Sequence, residues 1–179
     1  MKVETVDYQD TNAALALQRS LRDTGFAVLA NHPITAERIE TIYSGWGAFF
    51  ASQDKFAYAV QPPRHDGYFA FRSENAKDSP IKDLKEFFHV YPDSPLPSDL
   101  AEMTTAIYAD LQHLGLEILS WIQQETPKEI AHQFTMPLDE MIEDSQQSLL
   151  RILHYPPVED SEPEAIRAAA HEDINLITL

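Results

Sequence analysis

Cysteine is absent from all 179 residues. That excludes disulfides, thiolate metal sites, iron–sulfur clusters and a cysteine nucleophile, and leaves histidine and carboxylates as the strong metal ligands. Long apolar runs are missing too: none approaches the ~20 residues of a membrane-spanning helix. The opening Met1 to Asp7 lacks the basic-then-apolar layout of a signal peptide, so a cytoplasmic location is the expectation. Positive charge is scarce. Thirteen Lys and Arg stand against 29 Asp and Glu, a formal net charge of −16. Nucleic acid and anionic membrane surfaces, both bound through Lys and Arg, are therefore not expected partners. An anionic small molecule would need local arginines, and Arg64, Arg72 and Arg151 are the candidates. Internal repeats and low-complexity tracts are also lacking.

What is present is the composition of one globular domain, 44% hydrophobic and 10% aromatic, long enough to bury a sizeable core. Val3 to Val6 predicts a short strand. Thr11 or Asn12 caps a helix carrying Ala14, Leu17 and Leu21, stopped by Gly25. Phe26 to Ala30 predicts a buried strand. Thr35 caps a second helix whose stripe is Ile39, Ile42, Tyr43, Trp46, Phe49 and Phe50, read as core. Short strands are predicted at Tyr68 to Phe71 and Phe87 to Tyr91. The longest helix, capped by Ser98, carries Leu100, Met103, Ile107, Leu111, Leu114, Ile118 and Trp121 at helical spacing and ends before Pro127. Lys128 to Phe134 and Leu138 to Ile142 predict shorter helical pieces, Ser148 to Tyr155 a strand stopped by Pro156-Pro157, and the final residues another strand. Helices first and strands last favour an α+β fold.

The last nine residues, His171-Glu-Asp-Ile-Asn-Leu-Ile-Thr-Leu179, hold the sharpest chemical signal. On a strand, side chains two apart share a face. His171 and Asp173 would then present an imidazole and a carboxylate together, two of the three ligands in the 2-His-1-carboxylate arrangement that binds non-haem Fe(II). The triplet alone is weak: 7 His and 14 Asp in 179 residues supply roughly 7 × 14/179, about 0.5, such triplets by chance. An exposed His and Asp on a strand edge is the competing reading.

Four blocks, in order, give the motif its context. They are Asp23-Thr-Gly-Phe-Ala-Val-Leu-Ala-Asn-His-Pro-Ile34; Gly67-Tyr68 followed by Asp83-Leu-Lys-Glu-Phe-Phe88; Leu150-Arg-Ile-Leu-His-Tyr-Pro-Pro157; and His171 to Leu179. Together they resemble the iron(II)- and 2-oxoglutarate-dependent oxygenases of the isopenicillin N synthase type. Pro33 replaces a usual Gly of that pattern, and Leu153 stands where the family usually has Asn.

The resemblance implies a double-stranded β-helix, a jelly-roll-like barrel braced by helices. It implies a single domain over residues 1–179: an oxygenase-type region at 1–95, scaffold helices at 96–146, and at 147–179 the start of a β-helix core lacking its later strands. It maps His171 and Asp173 onto two iron ligands and Tyr155 onto the tyrosine that hydrogen-bonds the co-substrate or substrate. Arg64 falls near a position where some members hold a substrate carboxylate; a solvated loop arginine is the plain reading. The family's second ligand histidine, about fifty residues further on, and its Arg-x-Ser for 2-oxoglutarate fall beyond Leu179. The chain is thus expected to be the first part of a longer polypeptide. Of the other histidines, His32 falls in the Asn-His block, where the family residue is structural; His154 should alternate to the opposite strand face from Tyr155; and His65, His89, His113 and His132 lack ligand-like spacing. The implied activity is Fe(II)- and 2-oxoglutarate-dependent oxidation of a small molecule. A truncated or non-catalytic relative serving in binding or structure, and a small acidic α+β binding module with a fortuitous His-x-Asp, are the alternatives.

Overall fold

The structure, a computed structural model, describes residues 2–74, 82–157, 167–168 and 173–179. Its elements, in order, are β1 (Thr5–Asp7), α1 (Ala13–Thr24), β2 (Val28–Ala30), α2 (Ala36–Ala51), a 3₁₀ turn (Asp54–Tyr58), β3 (Gly67–Phe69), β4 (Glu86–Val90), α3 (Ala101–Gln124), α4 (Lys128–Ala131) and β5 (Leu150–His154). Strands and helices interleave along the chain, rather than helices preceding strands as the sequence suggests, and the strands form two small sheets in an α+β architecture. Two compact units result. One comprises Met1–Glu40, Ala106–Ser145 and Leu179; the other comprises Thr41–Thr105 and Gln146–Thr178.

In the first unit β1 and β2 pair in parallel, Thr5 to Val28 through Asp7 to Ala30. The linking helix α1 ends where its apolar spacing ends: Gly25 takes φ 77° and donates its N–H to the Leu21 carbonyl at 2.8 Å. That left-handed position suits glycine, which has no Cβ to clash. Ser20 is buried because it joins all three elements. Its hydroxyl accepts from the Glu4 N–H at 3.0 Å and donates to the Phe26 carbonyl at 2.6 Å. The α3 residues Leu114, Ile118 and Leu119 are buried, as the apolar stripe predicts for the first two.

In the second unit β3, β4 and β5 form an antiparallel sheet with β4 central. Every residue of β4, Glu-Phe-Phe-His-Val, is buried. Residues directly opposed across strands share a face, so Tyr68, Glu86, Phe88, Val90, Ile152 and His154 lie on one side. Phe69, Phe87, His89, Arg151 and Leu153 lie on the other. The first face packs on α2. Trp46 meets Phe88 with centroids 4.9 Å apart and Phe49 at 5.2 Å, while Phe50 stacks on His154 at 5.1 Å. The buried Trp46 Nε1–H donates to the Thr104 hydroxyl at 3.0 Å, which completes an otherwise apolar contact. Gly67, at φ 102°, lets this sheet run against the 3₁₀ turn, since a Cβ there would lie 2.6 Å from the Tyr58 carbonyl oxygen.

Several expectations from the sequence are corrected. The strand after Gly25 is short and exposed: Phe26 and Val28 are 70% and 52% accessible, because β2 pairs with β1 in a sheet of two strands. Tyr43 of the α2 stripe is 75% exposed: it shares a helical side with Phe50 one heptad on, but burial in α2 is confined to the C-terminal half, at Trp46, Phe49 and Phe50. Residues 98–100 form a turn closed by the Leu100 N–H on the Pro97 carbonyl, so α3 starts at Ala101 and Ser98 is no cap. Leu138 to Ile142 is a run of turns, with the Leu138 N–H donating to the Gln123 side chain at 2.6 Å. The expected final strand is not one over 173–179. There Asn175 donates to the Thr178 hydroxyl at 2.7 Å, which donates on to Asp173 at 3.4 Å. Short polar side chains bonded locally in this way compete with a strand ladder.

Candidate functional site

His171 lies outside the described residues. Asp173 is described and exposed. Among the described residues no three His, Asp or Glu side chains converge as a ligand set, and none of their helices is long and apolar enough to cross a membrane. Tyr155 follows β5 directly and is half-buried. By strand alternation it continues the Arg151 and Leu153 face. Arg64 is engaged nearby in sequence: its Nε and Nη2 donate to the two carboxylate oxygens of Asp66 at 2.8 and 2.5 Å. The Arg64 hydrogen bonds hold the Asp66 carboxyl down to about 2 against its partial burial. Arg72 lies over the Phe71 ring at 5.3 Å.

The sheet face bearing Arg151 is the more telling surface. Phe69 and Phe87 stack in parallel, centroids 4.5 Å apart and planes 13° off, and His89 leans on both at 4.7 and 4.8 Å. The Arg151 guanidinium lies over Phe87 at 5.0 Å, and Lys85 Nζ at 5.8 Å. Cations over an aromatic face are favoured by its quadrupole. The buried Lys85 is neutralised by Glu74 at 2.9 Å and Asp83 at 3.0 Å, while Arg151 Nη1 stands further from Glu74 at 3.6 Å. Leu153, 42% exposed, extends the apolar part of this face.

His89 has a defined protonation state here. Its Nδ1 lies 3.0 Å from the His65 carbonyl oxygen, which can only accept, so Nδ1 carries hydrogen. Its Nε2 receives the Arg151 Nε–H at 2.9 Å, so Nε2 carries none. The ring is the neutral Nδ1–H tautomer. Burial, reinforced by the Arg151 charge, pushes its pKa down to about 4 although the His65 carbonyl bond acts the other way.

The opposite face holds a buried carboxylate, Glu86, 4% exposed. It accepts from Tyr68 Oη at 2.5 Å and Lys55 Nζ at 3.0 Å through one oxygen, and contacts His154 Nδ1 at 2.7 Å through the other. Burial alone would raise its pKa; the bonds from Tyr68, His154 and Lys55 outweigh that and hold it below the ordinary glutamate value. Tyr68 is raised by its burial and by the Glu86 bond. This cluster braces the sheet from behind. The sequence singled out Arg151 as a candidate anion-binding arginine but neither its pairing with His89 nor the Glu86 cluster; for the latter the signal available was strand alternation, which places His154 and Tyr155 on opposite faces.

In the first unit a cavity of 260 Å³ is bounded by Tyr8, Ile34, Arg38, Asp110, His113 and Glu117 among others. Its charges are mutually engaged, Arg38 with Asp110 at 3.0 Å and Tyr8 with Glu117.

Comparison with known proteins places the chain in a family. A family model, described as the N-terminal region of non-haem dioxygenase in morphine synthesis, matches residues 3–109. The chain belongs to this non-haem dioxygenase family. Among solved structures, a Shewanella oneidensis protein assigned as an oxygenase is 47% identical, with a TM-score of 0.86 over 98% of this chain and 62% of that one. A Caulobacter crescentus protein assigned to the 2OG-Fe(II) oxygenase family is 28% identical, with a TM-score of 0.70 over 97% and 61%. A full-length Neurospora crassa protein, solved in complex with alpha-KG, shares the fold at 21% identity, with a TM-score of 0.71 over 94% and 60%. The chain thus spans about three fifths of each of these proteins. No curated protein sequence matches it.

Proposed function

We propose that the protein is an iron(II)- and 2-oxoglutarate-dependent oxidoreductase acting on a small molecule. The family match over residues 3–109 carries this reading, and the oxygenase-type relatives of Shewanella and Caulobacter support it. In this reading β3, β4 and β5 belong to a double-stranded β-helix, and their Arg151 face looks into it. His171 and Asp173 would hold the iron together with a ligand from outside the 179 residues. An imidazole and a carboxylate suit Fe(II) by donor chemistry. Bound Fe(II) with 2-oxoglutarate and O₂ supplies the oxidising power.

The chain's own residues bind, orient and exclude water. Tyr155 would donate its hydroxyl to a carboxylate of co-substrate or substrate. Phe69, Phe87 and Leu153 offer an apolar wall. Arg64 would reach a substrate only by giving up Asp66, so it contributes less than Arg151. The structures of the Neurospora protein with thymine and with 5-formyluracil support a small planar substrate.

The test is an anaerobic calorimetric titration of the full-length protein with 2-oxoglutarate, with and without Fe(II). Binding that appears only with Fe(II), and is lost in His171→Ala, is the expected result. Absence of Fe(II)-dependent binding in the unsubstituted protein would overturn the proposal.

A further inference from the structure

We propose that His89 is a positioning residue, a neutral imidazole that fixes Arg151 so that its guanidinium edge receives a carboxylate on the small-molecule ligand. The inference rests on the reading that this sheet face receives that ligand. Arg151 and His89 are directly opposed across β4 and β5, so their side chains meet by register. The Nε–H to Nε2 bond of 2.9 Å uses one of the five guanidinium donors and leaves the paired Nη edge for other acceptors. Phe87 supports the guanidinium plane at 5.0 Å. The side chain retains 36% exposure, so that edge is within a ligand's reach.

A neutral partner matters. An acid at position 89 would neutralise Arg151, and a cation would repel it, whereas a neutral acceptor holds the guanidinium in place with its charge intact. The His65 carbonyl locks the ring from the other side at 3.0 Å, so the accepting nitrogen points at Arg151. Glu74, already bound to Lys85 at 2.9 Å, stands 3.6 Å from Arg151, and a ligand carboxylate can take its place without leaving Glu74 unpaired. Two parallel N–H···O bonds to the Nη edge fit a carboxylate. The stacked Phe69 and Phe87 beneath suit a planar ligand body.

The test follows the Arg151 Nε–H resonance by proton–nitrogen NMR in the metal-free full-length protein, with sodium benzoate as probe and benzamide as its uncharged control. Benzoate should shift the signal saturably and benzamide should not. His89→Leu should weaken benzoate binding by about tenfold, some 1.4 kcal/mol. His89→Gln, whose amide can accept from Arg151 and donate to the His65 carbonyl, should restore binding to within about threefold. Should His89→Leu fail to fold, His89→Gln alone decides, and loss of benzoate binding in it overturns the proposal. So does unchanged binding in a folded His89→Leu, or no saturable shift at all. The readout needs no iron, so failure of the Fe(II) and 2-oxoglutarate titration leaves it interpretable.

Discussion

Glu86→Ala is the most informative perturbation of the fold. The carboxylate is 4% exposed and answers three donors, Tyr68, Lys55 and His154, at 2.5 to 3.0 Å. Its removal leaves the Lys55 ammonium, 15% exposed, facing an emptied site, with the Phe50 carbonyl at 2.6 Å still accepting from it. Breaking a buried pair from one side costs about 3–5 kcal/mol. For a chain of this length that lowers the melting temperature by roughly 6–20 °C, at about 2–4 °C per kcal/mol. Urea unfolding followed by circular dichroism reads the loss. Glu86→Leu combined with Lys55→Met removes both charges and should recover at least about 2 kcal/mol relative to Glu86→Ala, because the uncompensated ion is gone. A loss below about 1 kcal/mol in Glu86→Ala would refute the argument, since that is the scale of an exposed ion pair. The pH dependence is fixed in sign. A carboxyl held below its ordinary value contributes stability above the unfolded-state pKa, near 4.5, and loses that contribution as pH falls through the lower folded value.

Further outcomes follow from other residues. His89 is neutral in the folded state down to about pH 4, whereas the unfolded chain takes up its proton near pH 6.5, so stability should fall between those values by about 3 kcal/mol. Subtracting the pH–stability profile of His89→Gln isolates this contribution, and identical profiles would contradict it. Thr104→Val strips the buried Trp46 N–H of its acceptor and should cost about 1–3 kcal/mol in urea, with Thr104→Ser close to unchanged. Gly67→Ala drives a Cβ to 2.6 Å from the Tyr58 carbonyl at a φ of 102°. A loss of about 1–3 kcal/mol is expected by thermal denaturation, and a neutral effect would show that the 3₁₀ turn yields.

Periodicity was legible where a helix has one apolar side. The α3 stripe predicted the buried Leu100, Ile107, Leu114 and Ile118, and in α2 it found Trp46, Phe49 and Phe50. It misplaced Tyr43, because α2 is covered only along its C-terminal half. Apolar content misled at Phe26 and Val28, where burial depends on which strands lie alongside rather than on the residues. The charged Asp83, Lys85 and Glu86 hid the opposite error. Charges usually mark solvent, but these are buried, Asp83 against its near neighbour Lys85, Lys85 also against Glu74, and Glu86 against the distant Lys55. Strand alternation did separate His154 from Tyr155, and that one period-two argument carries through to the distinct roles of the two sheet faces. The His89–Arg151 bond depends on the β4–β5 register, which no local pattern specifies. The motif at His171 and Asp173 was found by its spacing and its neighbouring blocks.

The central claim, that His171 and Asp173 hold iron, is tested most directly by the Fe(II) affinity of the full-length protein, measured anaerobically for His171→Ala, Asp173→Ala and, as a control, His113→Ala. Loss of a first-row metal ligand should lower affinity at least about a hundredfold in the first two variants, with His113→Ala indistinguishable from the unsubstituted protein. Equal affinity across all the proteins would contradict the assignment and remove the His-x-Asp motif from the site.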